Sequence, residues 1–273
     1  MALFTVTDRC TGCGLCAKVC PASLVRQSAK GERPSPLAGR EAQCIRCGHC
    51  VAVCKAGALV HDLLPADAFT PVDRARLATP EALEHLMQAR RSCRLYDPAP
   101  LPREAIRELI MRVSHAPTGH NLGQVGFVVV DGPERMDRLR QAVLDWIALE
   151  VASGSERAAR LHLAGAARAV AKGRDVLFRS APHVVVVHAP ADGITPREDA
   201  IIAGAWLELA AAAAGYGACW CGYLMFALAG HPPIGALLGL PEGHAGYAAL
   251  LLGRAAVRPR LIPPRDLPDI RFF

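Results

Sequence analysis

The sequence predicts an α+β protein of two domains, a small one at the N-terminus and a larger one behind it, and three observations carry that prediction. The chain has 273 residues, about two domains at roughly 150 residues each. Eight of its eleven cysteines fall within the first 54 residues. Beyond residue 80, apolar residues recur by turns at helical and at strand spacing, so helices and strands alternate. We place the first domain at 1–62, a connecting segment at 63–80 and the second domain at 81–273.

Composition excludes several classes. With 52% apolar and 21% charged residues the chain is not disordered. The net charge of +6 comes from 27 arginines and 4 lysines against 25 acidic residues, without a basic block of nucleic-acid type, so no nucleic-acid partner is expected. The opening residues MALFTVTDRC lack a charged region followed by an apolar one, which argues against a secreted disulfide framework and for a cytoplasmic setting. The longest apolar stretch, Ile201 to Gly217, contains Trp206 and Glu208 and falls short of the ~18 uninterrupted apolar residues of a spanning helix. It reads as a buried core helix, and no membrane contact is expected.

The eight early cysteines form two runs, Cys10, Cys13, Cys16 and Cys20, then Cys44, Cys47, Cys50 and Cys54, each spaced CxxCxxCxxxC. In the bacterial form of this run, three closely spaced thiolates hold one iron–sulfur cluster and the fourth reaches the other cluster. Pro21 follows the first run, and Lys55 stands at the matching place in the second. Gly12, Gly14 and Gly48 suit a chain that wraps a cluster and turns amide N–H groups toward its sulfurs. Zinc is the competing reading of closely spaced cysteines, but four in each run, twice over, exceed what tetrahedral zinc uses. The first 62 residues resemble a two-cluster bacterial ferredoxin. The resemblance implies crossed ligation, with Cys10, Cys13, Cys16 and Cys54 on one 4Fe-4S cluster and Cys44, Cys47, Cys50 and Cys20 on the other. So small a domain has too little apolar core to fold alone, and the clusters act as its staples.

The connecting segment is punctuated by Pro65, Pro71 and Pro80 and keeps no period. Thr79 or Pro80 opens a helix in which Leu83, Leu86 and Met87 recur at helical spacing. A second amphipathic helix spans 103–115 through Ile106, Leu109, Ile110 and Val113, and a strand Phe127 to Val130 is closed by Asp131-Gly132. Next come a helix through Met136, Leu139, Val143, Trp146 and Ile147, an Ala/Arg-rich helix from Arg157 to Arg174, and a strand Val184 to Val187. The core helix Ala200 to Ala214 and a strand Tyr247 to Leu252 complete the series. Neither GxGxxG after a strand nor a Walker motif occurs, so a Rossmann or P-loop nucleotide site is unsupported.

At the end of the first of these helices stands Arg90-Arg91-Ser92-Cys93-Arg94, three guanidiniums and a hydroxyl suited to a dianionic phosphate. Alone, the run reads equally as a solvated basic helix end. Three further signals follow it: the turn Ala116-Pro117-Thr118-Gly119-His120-Asn121, the run GYGACWCG from Gly215 to Gly222, and Arg258-Pro259-Arg260. Cys219 and Cys221 read as structural and Cys93 as packing. His183 and His188 lie at odd separation along one strand and point to opposite faces, so they cannot share a metal through it. Arg157, Arg160, Arg168, Lys172 and Arg174 read as a solvated helix face, with attraction of an anionic substrate as the alternative.

In order and spacing these motifs, with APHVVVV and the Leu240-Pro241-Glu242-Gly243 turn before the last strand, resemble the FMN-dependent nitroreductase family from Glu81 onward. The resemblance implies a nitroreductase-like α+β sandwich in which Arg90, Arg91, Ser92 and Arg94, joined by Arg258 and Arg260, hold the FMN phosphate and ribityl chain. It implies that Pro117, Thr118 and Asn121 flank the flavin, Asn121 bonding its pyrimidine edge, and that backbone N–H groups near Cys221 and Gly222 approach N5 and O4. It also implies a homodimer with FMN at the subunit interface. The helix around Trp206 reads equally as part of that contact and as monomer core. Gly123, Gln124 and Val125 stand where many members carry Gln, Pro and Trp, a departure beside the flavin. No catalytic side chain is named.

The fusion of the two domains suggests an iron–sulfur flavoprotein oxidoreductase. Two 4Fe-4S clusters would take single electrons from ferredoxin or another low-potential donor and pass them to FMN and on to a nitroaromatic, quinone or activated alkene. Two alternatives stay open: a relative with different chemistry, such as dehalogenation or flavin fragmentation, and a flavin-binding electron carrier or redox sensor without turnover.

Overall fold

The computed structural model describes residues 3–273, which form two compact units, one of residues 3–77 with 120–122 and one of 78–119 with 123–273. The first unit contains β1 (Phe4–Val6), α1 (Leu15–Val19), β2 (Val25–Arg26), β3 (Ser35–Pro36), α2 (His49–Ala52) and β4 (Leu59–His61). β1 pairs antiparallel with β4, Phe4 opposite His61, and β2 with β3, Val25 opposite Pro36. The cysteine repeat is visible in the backbone: α1 and α2 start at Gly14 and Gly48, both left-handed, at corresponding places in the two runs. The buried apolar core is small, consisting of Leu3, Phe4, Leu24, Val25 and Leu59, and Cys16, Cys20, Cys44, Cys50 and Cys54 pack against it.

The second unit opens with α3 (Pro80–Ala89), capped by the Thr79 hydroxyl accepting the Ala82 N–H and begun by Pro80 at its first turn. There follow α4 (Arg103–Arg112), β5 (Gly126–Asp131), α5 (Pro133–Ala152), α6 (Glu156–Arg160), α7 (Leu163–Ala171) and β6 (His183–Pro190). The unit closes with α8 (Pro196–Ala213), β7 (Gly217–Trp220), α9 (Gly222–Gly230), α10 (Pro232–Leu237) and β8 (His244–Gly253). The four strands make one antiparallel sheet in the order β5-β6-β8-β7.

Strand alternation sorts the sheet onto two cores. Val184, Val186, Ala249 and Leu251 face α5, α7, α9 and α10 through Leu139, Val143, Trp146, Ile147, Leu163, Leu224 and Ile234. Val185, Val187, Ala248, Leu250 and Leu252 face α4 and α8 through Ile106, Leu109, Ala203, Leu207 and Ala211. Because β6 is covered on both faces, seven of its eight residues are buried, four consecutive valines and two histidines among them.

Several expectations need correction. The Ala/Arg-rich stretch is two helices, because His162, with φ 52, breaks it between α6 and α7. The 103–115 helix stops at Arg112, and the strands extend further than their most apolar residues, β8 from His244 and β6 from His183. Trp206 is 42% exposed, so within one chain it is not core. Leu83 and Met87 are likewise exposed on α3. Among the described residues, no helix is long and apolar enough to cross a membrane.

Candidate functional site

The first unit gathers its cysteines into two groups. Cys10, Cys13, Cys16 and Cys54 line a cavity of about 440 Å³, and Cys20, Cys44, Cys47 and Cys50 line another together with His61. Each group takes three thiols from one run and the last from the other. The wrapping demands close backbone approach: a Cβ on Gly12, at φ +66, would stand 2.3 Å from the Gly31 backbone. Backbone N–H groups point at the sulfurs, Gly12 to Cys10 at 3.4 Å, Leu24 to Cys20 at 3.3 Å and Ala58 to Cys54 at 3.2 Å. The Leu15 N–H, above all, holds the Cys13 thiol below its ordinary range. Burial pushes Cys16 up and Cys50 up to about 11, so both favour the neutral thiol in the metal-free protein. A zinc ion draws four sulfurs to about 2.3 Å of one point. The cavity of about 440 Å³ between Cys10, Cys13, Cys16 and Cys54 leaves room for a cluster instead, while the one between Cys20, Cys44, Cys47 and Cys50 is narrower, at about 30 Å³.

Asn121, counted with this unit, donates its side-chain amide to the carbonyls of Ile45 at 3.0 Å and Arg46 at 3.2 Å, between Cys44 and Cys47. His120 and Asn121 both take left-handed backbone to make this turn, with φ of 49 and 56. Both amide hydrogens of Asn121 thus have carbonyl partners in the cysteine loop, so of this side chain Oδ1 is the atom left to meet a flavin edge.

In the second unit, chain segments distant in sequence converge on the arginine run. The Cys93 N–H donates to Ala218 O at 2.8 Å, Asp97 N–H to Arg254 O at 2.9 Å and Ala256 N–H to Leu95 O at 3.0 Å, and Tyr96 bridges Ala255. The run is thus laced between β7 and the stretch after β8. A cavity of about 250 Å³ results, lined by Arg94, Arg179, Cys219, Trp220, Cys221 and Gly222, among others. Pro117 and Thr118 are not part of its lining; the Thr118 hydroxyl accepts the Gly123 N–H at 2.9 Å. Arg258 is exposed, with Nη2 at 3.5 Å from Gly215 O, and Arg260 is exposed beyond it.

Within the run, Arg90 and Arg91 differ. Arg90, expected at a phosphate, makes an ion pair through Nη1 with Glu208 Oε1 at 2.8 Å, while Glu208 Oε2 accepts the Trp220 indole N–H at 3.2 Å. Gly204 makes space for that indole, since a Cβ there would come within 2.9 Å of it. Arg91 Nε is buried without a partner, as is the Tyr96 hydroxyl. An orphaned buried guanidinium N–H at the edge of an arginine cluster is what an absent anion leaves behind. Burial raises the Cys219 thiol, against the pull of Arg94 and Ser92, and raises Cys221 to about 12, so both favour the neutral thiol in the cavity wall. Sequence reasoning had no signal for Glu208 other than a charge within an apolar helix.

A family model described as the nitroreductase family matches residues 87–254, more than half of the chain. The chain belongs to the nitroreductase family. A second model, described as a 4Fe-4S dicluster domain, matches residues 9–59, so this nitroreductase-family protein carries an iron–sulfur domain ahead of its reductase fold. Among solved structures, a nitroreductase with bound FMN from Desulfitobacterium hafniense DCB-2 is 26% identical, with a TM-score of 0.55 over 70% of this chain and 97% of that one. A nitroreductase with bound FMN from Bacteroides fragilis NCTC 9343, 21% identical, gives 0.54 over 69% and 98%. Oxidized iodotyrosine deiodinase bound to FMN and 3-iodo-L-tyrosine, 18% identical, gives 0.54 over 70% and 98%. The last two show the shared fold alone.

In this nitroreductase-family fold His183 and His188 stay apart, while His188 meets His244. His183 Nε2 accepts the Leu101 N–H at 2.8 Å, and His188 Nδ1 lies 2.9 Å from His244 Nδ1. Burial lowers the proton affinity of both His183 and His188. Arg157 pairs with Glu150 of α5, and Arg160 with Glu156 on its own helix α6.

Proposed function

We propose that the protein is an iron–sulfur flavoprotein oxidoreductase that collects single electrons at two 4Fe-4S clusters and delivers them in pairs, through FMN, to an electron-poor acceptor. The observation that carries this reading is the unpartnered buried Nε of Arg91 in an arginine run whose neighbour Arg94 lines a cavity with Gly222. The FMN bound by the 26%-identical relative supports it.

Arg91, Ser92 and Arg94 would hold the phosphate, with Arg258 and Arg260 adding charge at its open side. Nothing lies within 4 Å of a Cβ built on Gly222, so the ring edge can lie against bare backbone there and take the Gly222 N–H, whereas the Cys221 N–H, expected to share that role, is already donated to Ala249 O at 2.8 Å. Bound FMN would supply hydride chemistry, and the clusters one-electron storage. Glu208 keeps Arg90 and the Trp220 indole in fixed orientation, so the wall of the cavity is set before any ligand enters. Cys10, Cys13, Cys16 and Cys54 would ligate one cluster and Cys44, Cys47, Cys50 and Cys20 the other. The donor in this reading is ferredoxin or another low-potential carrier, the acceptor a nitroaromatic, quinone or activated alkene, and the working unit a cytoplasmic homodimer. The exposed Trp206, Leu83 and Met87 support the dimer.

Anaerobic purification followed by iron, sulfide and flavin analysis tests this reading. Two clusters and one FMN per chain are expected, with flavin reduction by reduced ferredoxin. Zinc in place of iron and sulfide, or protein that binds no flavin, overturns it.

A further inference from the structure

The two cysteine groups are related by the repeat, yet their sulfurs receive different hydrogen bonds. The last cysteine of each run takes a backbone N–H four residues on, Leu24 to Cys20 and Ala58 to Cys54. The first cysteines break the symmetry. Cys10 takes the Gly12 N–H at 3.4 Å, whereas Cys44 has the His61 ring nitrogen Nε2 at 3.5 Å.

His61 ends β4, is 4% exposed, and lines the cavity of Cys20, Cys44, Cys47 and Cys50. Its other ring nitrogen, Nδ1, accepts the Leu63 N–H at 3.1 Å and therefore bears no proton. The proton of the neutral ring is on Nε2, facing Cys44 Sγ. The residue at the corresponding place after Cys10 is Gln27, and its amide goes to two carbonyls, Gly12 O and Glu32 O, both at 2.8 Å. One site has a side-chain donor on a thiol; at the other, the matching side chain is committed elsewhere.

We propose that His61 is a positioning residue that donates a hydrogen bond from Nε2 to the Cys44 sulfur and raises the reduction potential of that cluster above its partner's. The proposal rests on the reading of the eight cysteines as ligands of two 4Fe-4S clusters. Reduction adds one electron, supplied by the low-potential donor, and neither makes nor breaks a bond. Part of the added negative charge falls on the thiolate sulfurs, so an N–H aimed at one of them stabilises the reduced cluster more than the oxidised one. The electron then rests at the Cys44 site in preference to the Cys10 site. The two repeats become a store with an order of filling.

The test is a redox titration followed by electron paramagnetic resonance on the full chain with both clusters loaded, comparing wild type with His61→Leu, His61→Gln and His61→Asn. Iron and sulfide analysis of the wild type comes first, and a shortfall from two clusters rejects the ligand reading itself. With both clusters present, His61→Leu is expected to lower one of the two one-electron steps and leave the other in place. At a fixed potential the reduced-to-oxidised ratio falls about tenfold, ~59 mV for one electron. In His61→Gln an amide nitrogen reaches the distance of Nε2 and restores most of the shift, whereas His61→Asn is too short and behaves as His61→Leu. Loaded variants in which neither step moves, or both move together, overturn the proposal. Should His61→Leu lose iron, equal potentials in His61→Gln and His61→Asn overturn it as well.

Discussion

The two units hold themselves together by different means. The first buries six apolar side chains, Leu3, Phe4, Leu24, Val25, Ala58 and Leu59, and packs half-buried cysteines against them. In the second, a four-stranded sheet carries a continuous apolar layer on each face, with Trp146, Phe178, Val143 and Ile147 almost without exposure. Area burial at about 25 cal/mol per Å² can sustain the second. The first has so small an apolar core that metal binding would supply much of its folding energy.

The comparison breaks most visibly on removing the metal. Chelation under reducing conditions, or Cys13→Ala for one cluster, should abolish the folded signals of the first unit while the second keeps a cooperative unfolding transition. Two-dimensional NMR reads both in one sample, and a first unit that stays folded without iron would show that its small core suffices. The next effect runs the other way. Trp146→Ala should cost the second unit about 3–5 kcal/mol, seen as a lower urea midpoint, with cluster absorbance at native conditions unchanged. A smaller loss comes from Arg91→Gln, which removes one charge-assisted contact to a phosphate and should weaken FMN binding by about 1.5–3 kcal/mol in a fluorescence titration. Unaltered affinity would return Arg91 to the status of a solvated helix end.

The smallest effect is the pH dependence of the second unit. Burial lowers the folded-state affinity of His183 and His188 for a proton, whereas in the unfolded chain each titrates near 6.5, at about that ordinary value. The unfolded chain therefore binds more protons as the medium is acidified, and stability, full above pH 7, declines below about 6.5 by at most about 1.4 kcal/mol per pH unit for each histidine. Urea midpoints between pH 7.5 and about 5.5, a range that excludes ordinary carboxylates, should fall with acidification. A flat profile would mean that neither ring is buried as neutral imidazole.

The same contrast governs what was legible in the sequence. Ligand spacing is local, so both cysteine runs, and the resemblance they carry, could be read directly. In the second unit, α4 and α5 announced themselves by period, but Gly217 to Gly230 is apolar almost throughout and hid the change from β7 to α9. His162 gave no sign of the break between α6 and α7. Side-chain partners were the least visible. Glu208 meets Arg90 across most of the unit's sequence, Asn121 meets Ile45 and Arg46, and a lone His61 after a short valine-bearing strand carries no motif. Such pairs are set by tertiary packing, which periodicity does not encode.

The lacing of the arginine run to the stretch after β8 also fixes a timetable. A ribosome delivers the eight cysteines first and Ala255, the bridge partner of Tyr96, near the end. At roughly 5–20 residues per second, on the order of 10–40 s separate Cys54 from Ala255. During that interval the hydrogen bonds from Asp97 to Arg254 and from Ala256 to Leu95 do not exist. If the arginine run holds a flavin phosphate, as proposed, its cradle closes only once residues 254–256 are made, and a chain cut just before Ala255 should hold iron and sulfide but no flavin.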